Sequence, residues 1–190
     1  HISHLKAMGK RNWNRLIPEA LELIHNAADD GVDITFDAYP YTAGSTQLMH
    51  VLPPDFIEGG TAAVTERLKD MDKRKELEER IAYGRDFDNI AGMVGWDNIV
   101  IAAVNTDENK KYQGKNIAVA AELRGETPID CLCNMLIEEN CAVTMIDFIT
   151  CDEDIARIYN KKGASVISDS IYPMGGRPHP RLYGSFPRVI

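Results

Sequence analysis

Two side chains suited to hydrolytic chemistry each follow a short apolar run. His4 comes after Ile2-Ser3, and a neutral imidazole at the end of a strand could ligate a zinc ion. The plainer alternative is a structural histidine. Asp169 comes after Val166-Ile167-Ser168. A carboxylate there is costly to bury unless a cation or a metal pairs with it, and its alternative is a turn or helix-cap aspartate. Lys6 stands two residues past His4, on the same face if the segment is extended. It could meet a substrate carboxylate or be a surface lysine. Tyr39, Tyr41, Ser45 and Thr46 put hydroxyls around Pro40 and Gly44, where they could orient a substrate or simply pack a turn. His179-Pro180-Arg181 presents a guanidinium from a stiff segment, as a bidentate carboxylate contact requires, with Arg177 the nearby competitor.

The elements that would position these groups follow an α/β pattern. Pro18 suits the first turn of a helix in which Leu16, Ala20, Leu23, Ile24 and Ala27 recur at helical spacing before Gly31 stops it. Val32, Ile34, Phe36 and Ala38 alternate with Asp33, Thr35 and Asp37, predicting a strand that ends at Tyr39-Pro40-Tyr41. With the strand end at His1 to Lys6, this makes a right-handed βαβ unit of a parallel sheet. Residues 48–125 read as an α+β insertion. A highly charged helix covers Thr61 to Tyr83, a β run covers Ile99 to Val104, and a further helix lies near Ile117 to Leu123. Residues 126–190 return to the scaffold through a helix from Ile129 to Asn140 and a strand from Ala142 to Phe148. Thr150 and Glu153 predict a capping box for the next helix, which reaches about Lys162. A short buried strand from Ala164 to Ser168 then delivers Asp169.

Composition bounds the function classes. The 190 residues are 44% hydrophobic, enough for a buried core, and the net charge of -8 gives no general attraction for nucleic acid or anionic membranes. No apolar run approaches the roughly 20 residues that span a bilayer, and the first residues lack the layout of a secretory signal. Cys131, Cys133, Cys141 and Cys151 do not have the spacing of a structural zinc site and read as reduced thiols of a cytoplasmic protein.

Three ordered strings carry a family resemblance. Ile2-Ser3-His4-Leu5-Lys6-Ala7-Met8-Gly9 resembles the ISHxKxxG segment of the D-aminoacylases, the N-acyl-D-amino-acid deacylases of the amidohydrolase superfamily. The run from Phe36-Asp37-Ala38-Tyr39-Pro40-Tyr41 to Ser45-Thr46 is similar to their DxYPYxAxST segment. Ile167-Ser168-Asp169 followed by His179-Pro180-Arg181-Leu182-Tyr183-Gly184-Ser185-Phe186-Pro187-Arg188 resembles their SD…HPRxYGxFPR ending. The resemblance implies part of a metal-dependent (β/α)8 barrel, in which residues 1–47 and 126–190 are barrel segments and 48–125 lie over the active-site mouth. It implies His4 and Asp169 as metal-site residues, with Asp169 also handling the proton of the attacking water. Lys6, Tyr39, Ser45 and Arg181 would bind the substrate, and His179 would support them. The implied cofactor is Zn²⁺ and the implied substrate a small N-acyl-D-amino acid. An early HxH pair, a metal-bridging cysteine and a fifth-strand histidine of the family have no counterpart here, so the chain is expected to be an inactive fragment. Its exposed sheet edges would favour self-association. Leu5, Asn14 and Ser170 depart from the family pattern, which has His, Gly and Gly there. The alternatives are another amidohydrolase of the cyclic-amide, hydantoinase-like kind, or a non-catalytic binding module.

Overall fold

The computed structural model describes residues 1–172 and 175–190. In chain order the first elements are α1 (Leu16–Asp29), β1 (Phe36–Ala38), β2 (Ala43–Gln47), α2 (Pro54–Ile57), α3 (Gly60–Lys69), α4 (Met71–Tyr83) and α5 (Ile90–Val94). They are followed by β3 (Ile99–Ala103), α6 (Ile117–Arg124), α7 (Pro128–Glu138), β4 (Thr144–Phe148), α8 (Asp152–Tyr159), β5 (Ala164–Val166) and α9 (Arg181–Val189). The chain divides into two units, one of His1–Gly44, Phe148–Tyr172 and His179–Ile190, the other of Ser45–Asp147 continued by 175–178.

The first unit is a small parallel array. β1 pairs in parallel with β5, Phe36 opposite Ala164 and Ala38 opposite Val166. On the other side of β1, Ile2 bridges Phe36, also in parallel. Two backbone bonds carry both pairings toward the C-terminal edge, Leu5 N to Asp37 O at 2.8 Å and Ile167 N to Ala38 O at 3.0 Å. Phe36 and Ala38 turn to a core of Ala7, Ile17, Leu21 and Ile158, built on α1 and α8. Each large apolar side chain buried this way contributes about 1.5–3 kcal/mol.

Several local expectations shift. The buried stripe of α1 runs through Ile17 and Leu21, while Leu23 is exposed. The strand starts at Phe36 and not at Val32, because Val32 closes the helix. Its N–H bonds Ala27 O and the N–H of Gly31, at φ +88°, bonds Ala28 O, a Schellman arrangement. Asp37, expected on the polar face, is buried. The capping box at Thr150 and Glu153 is not formed, since Cys151 is the N-cap of α8 and makes no side-chain cap bond. The first turn instead carries Asp152, Glu153 and Asp154, which suit the positive end of the helix dipole. β5 stops at Val166 and is only partly covered, so Asp169 lies on a loop three residues beyond it.

In the second unit the strands are ordered β2–β4–β3, with β3 and β4 antiparallel and a register irregularity between Ile101 and Ala103. The charged stretch from 61 to 83 forms two helices and not one. Asp70 leaves helical geometry and caps α4 by accepting from the N–H groups of Asp72 and Lys73. α3, α4, α6 and α7 bury Leu68, Leu77, Ile117, Leu132, Met135 and Leu136. Cys131 and Cys133 are both fully buried, although two positions apart on α7, because that helix is covered on several sides. Burial pushes their thiols up, to about 11 and about 12, so neither is a ready nucleophile. α7 and β4 group with the second unit because α7 packs against α3, α4 and α6 while β4 pairs with β3. Among the described residues the strands form two separate sheets and close no barrel, and no helix is long and apolar enough to cross a membrane.

Candidate functional site

Of the six residues singled out as metal, catalytic or substrate-binding, five lie in the first unit. His4 ends the outer segment that begins at the Ile2 bridge, Tyr39 follows β1 in the middle, and Asp169 lies past β5 on the far side. All three therefore occupy the C-terminal edge of a parallel array, where barrel enzymes place their chemistry. Neighbouring strands are about 4.8 Å apart, so the two outer backbones stand roughly 10 Å from each other.

A continuous run of contacts joins the five. Lys6 Nζ donates to His4 Nδ1 at 3.0 Å and to the His4 carbonyl at 2.9 Å. The same ammonium lies 5.4 Å from the centre of the Tyr39 ring. The Arg181 guanidinium lies 4.6 Å from that ring and its Nη1 pairs with Asp169 Oδ2 at 2.9 Å. Two cations thus share one aromatic face system, an arrangement stabilised by the ring quadrupole. The exposures differ sharply. The Arg181 side chain is 2% exposed and that of Asp169 is 39% exposed.

His4 and Asp169 also share a backbone signature. Their φ angles are +40° and +45°, in the left-handed region that few residues with a side chain enter. Such conformations cost of order 1–3 kcal/mol and persist where the surroundings impose them. At His4 the imposing group is Asp37, whose Oδ1 accepts the His4 N–H at 2.5 Å while its Oδ2 takes a bond from His1 Nε2 at 2.7 Å. At Asp169 it is the buried Arg181. Asp37 was passed over in the sequence because strict alternation put it among the solvent-facing residues. The signal that could have found it is its place inside the same string as Tyr39-Pro40-Tyr41.

His179 has a definite structural role. Its Nε2 donates to Ala43 O at 2.9 Å and its Nδ1 accepts the Arg181 N–H at 2.9 Å, so both ring nitrogens are used and the ring is neutral. Its edges meet Tyr39 and Tyr41, with ring centres 6.5 Å and 5.2 Å away. Burial first, and then the neighbouring Arg181 charge, lower its pKa to about 4. On the other side of β1, Tyr159 donates to Ala38 O at 2.6 Å, and burial together with the Asp37 charge pushes its hydroxyl up to about 12.

Ser45 lies in the second unit, on β2, where its hydroxyl donates to Met145 O at 3.0 Å. Arg177 is in that unit too, its N–H on Ala102 O at 2.8 Å. A groove of about 540 Å³ in the first unit is lined by Pro18, Leu21, Glu22, His25, Arg157 and Lys161 and holds none of the site residues. Among the described residues no three His, Cys, Asp or Glu side chains are grouped to hold a metal. His4 and Asp169 suit zinc in kind, as an imidazole and a carboxylate, but two donors fall short of the three or four that a tight site needs.

No protein-family model matches the chain. It is 31% identical over 189 residues to a D-aminoacylase of Alcaligenes xylosoxydans xylosoxydans, and 25% identical over 189 residues to an N-acyl-D-glutamate deacylase of the same organism. Both matches cover 100% of this chain and 29% of the relative. Among solved structures, one of D-aminoacylase that addresses its binuclear metal centre superposes with a TM-score of 0.64 at 29% identity, covering 99% of this chain and 29% of that one. The homologues of this chain are thus a D-aminoacylase and an N-acyl-D-glutamate deacylase, and it spans 29% of their length.

Proposed function

We propose that this chain carries one side of the active site of a zinc-dependent amidohydrolase that cleaves N-acyl-D-amino acids to a carboxylate and a free D-amino acid. The reading rests above all on His4 and Asp169, both at positive φ, standing at one edge of a parallel array with two cationic side chains between them. The 31% identity to a D-aminoacylase supports the same reaction class. In this reading the first unit belongs to a (β/α)8 barrel, interrupted in sequence by the second unit.

His4 and Asp169 would hold the metal together with ligands from outside these 190 residues. When bound, zinc lowers the pKa of a water to about 7 and polarises the acyl carbonyl. Asp169 takes the proton of the attacking water at a carboxylate oxygen and returns it to the leaving amine nitrogen. Lys6 and Arg181 provide positive charge for the substrate α-carboxylate, which suits acyl compounds that carry a free acid. Tyr39 sets the distance between those two cations, and Ser45 is assigned to the substrate's neighbouring polar atoms. With only two metal donors supplied, the 190 residues alone are expected to be inactive.

The test is amine release from N-acetyl-D-methionine and from its L enantiomer, and ring opening of a 5-substituted hydantoin to the N-carbamoyl amino acid, each with added Zn²⁺. Measurements would be made on the 190-residue chain and on a longer polypeptide that supplies the remaining ligands. Turnover of the D compound alone, by the longer polypeptide alone, is the expected outcome. Hydantoin opening would replace the reaction class. Robust turnover by the 190 residues would remove the need for outside ligands.

A further inference from the structure

Arg177 stood in the sequence as the competitor to Arg181, and the fold gives it a different task. Residues 175–178 belong to the second unit, while His179 and Arg181 belong to the first. Within the second unit the segment is anchored on β3. The Arg177 N–H donates to Ala102 O at 2.8 Å. Gly176, at φ +85°, lies so close to the strand that an added Cβ would stand 2.4 Å from Ala102 O and 2.8 Å from Ala103 Cβ. Only glycine meets both conditions, the left-handed backbone and the absent side chain. The Arg177 side chain crosses Gly114, where a Cβ would meet its Nη1 at 2.9 Å. Gly114 is itself pinned to β3, its N–H on Ile101 O at 2.7 Å. Gly176, Arg177 and Gly114 thus form one anchor, built from close approach of backbone to backbone.

We infer that Gly176 and Arg177 are positioning residues for Arg181: anchored on β3, they fix the chain from which the first unit receives His179. The inference rests on the proposed function, in which Arg181 binds the substrate carboxylate, and adds residues of the second unit that act through it. The link runs along the backbone. Arg177 and His179 are two residues apart, so their Cα atoms stand no more than about 7 Å from each other. Pro178 and Pro180 each lock one φ and leave the stretch little slack. His179 in turn donates to Ala43 O through Nε2 and accepts the Arg181 N–H at Nδ1, and Arg181 opens α9. A chain held at 177 reaches His179 from one direction. Released there, His179 and the Arg181 N–H that it orients lose the restraint on their N-terminal side. The guanidinium then samples more positions, and a carboxylate meets it less often in the binding geometry.

The transmission is read by amide hydrogen exchange, followed by NMR, in the wild-type protein, Gly176→Ala and Arg177→Lys. Gly176→Ala breaks the anchor, whereas Arg177→Lys keeps its backbone bond and is the conservative control. In Gly176→Ala the Arg177 and Arg181 amides should both exchange roughly tenfold faster, the worth of one ordinary hydrogen bond. The Gly31 and Val32 amides, which close α1 in the first unit, should keep their wild-type rates. Arg177→Lys should match wild type at all four. A faster Arg177 amide beside an unchanged Arg181 amide means that the anchor does not reach Arg181, and overturns the inference. An unchanged Arg177 amide overturns it too, because Gly176 then does not hold the segment. So does a uniform rise that includes Gly31 and Val32, which reports lost stability. Gly114→Ala, which sets a Cβ against the Arg177 side chain, replaces Gly176→Ala if that protein does not fold. In the longer polypeptide, Gly176→Ala should raise KM for N-acetyl-D-methionine roughly tenfold and leave kcat within about twofold. Faster exchange at Arg181 with an unchanged KM would take the substrate carboxylate away from Arg181 and overturn that part of the proposed function, while the positioning stands.

Discussion

Protonating His179 should open the site from its supporting side. The neutral ring donates from Nε2 to Ala43 O and accepts the Arg181 N–H at Nδ1. A proton added at Nδ1 sets N–H against N–H and places a second positive charge beside Arg181. The groups around the ring are Arg181, the Asp169 carboxylate on its far side, and Tyr39 and Tyr41, the latter covered by Arg188 with its guanidinium 5.0 Å from the ring centre. Burial and Arg181 lower the pKa from 6.5 to about 4. At about 1.36 kcal/mol per pKa unit, this stabilises the folded protein by about 3 kcal/mol. Since the folded-state pKa lies below the unfolded one, the stabilisation is complete above pH 6.5, declines as the pH falls toward 4, and is absent below that. Urea unfolding at half-unit steps from pH 7.5 to 4 measures it against His179→Asn, which does not titrate in this range. Subtracting the two curves removes the carboxylates common to both. A gap that shrinks by about 3 kcal/mol over that window is expected. A gap independent of pH, or a His179 titration by NMR near 6.5, would refute the reasoning.

Gly184 tests a close approach in α9, where an added Cβ would lie 2.3 Å from Tyr41 Oη. Gly184→Ala should destabilise by about 1–3 kcal/mol, and the sign should reverse in a Tyr41→Phe background, where helix propensity is all that remains; chemical denaturation reads both. Asn14 holds φ +61°, its N–H on Asp154 Oδ2 at 3.0 Å and its side-chain oxygen on Arg157. Asn14→Gly should be tolerated, whereas Asn14→Ala should cost about 1–2 kcal/mol more, from the left-handed backbone; melting temperatures decide. In the second unit, buried Glu139 accepts from the N–H groups of Asn105 and Thr106, the Thr106 hydroxyl and the Asn109 amide. Burial works to raise its pKa, but these bonds outweigh it and hold the carboxyl below its usual value. Its stabilisation is present above the ordinary carboxylate pKa and is lost as the pH falls through the depressed one. Glu139→Ala should cost about 3 kcal/mol by stranding those donors, and should remove that acid-side slope from urea titrations.

Much of the first unit was legible because its signals are local. Pro18 and Gly31 bracket α1, and the strings around His4, Tyr39 and Asp169 put reactive types after apolar runs. The misreadings were of features that sequence period cannot encode. Val32 continues an alternating pattern but is spent closing a helix, and which one wins depends on the left-handed turn at Gly31. Thr150 and Glu153 satisfy the capping-box formula, yet Thr150 is buried and Cys151 takes the cap. Asn14 stands at a positive φ where the family pattern has glycine, and asparagine is among the few residues with a side chain that enter this backbone region readily. The burial of Asp37 and the neutrality of His179 were out of reach, because Asp37 is covered by partners 33 and 36 residues away, and His179 is buried and bonded to Ala43 O, 136 residues away.

In the proposed site, His4 and Asp169 share a backbone geometry but are held in opposite ways. A side chain at the end of a strand tends to follow the strand direction, and bringing two such ends to a common centre requires the backbone to turn. Both His4 and Asp169 turn through the left-handed region. At His4 the turn is held by a buried carboxylate gripping the backbone N–H, while the exposed imidazole accepts from Lys6 Nζ at Nδ1. At Asp169 the turn is accompanied by a buried guanidinium gripping the side chain itself. The first device acts on the backbone and not on the ring. The second acts on a side-chain oxygen directly, Arg181 Nη1 on Asp169 Oδ2 at 2.9 Å.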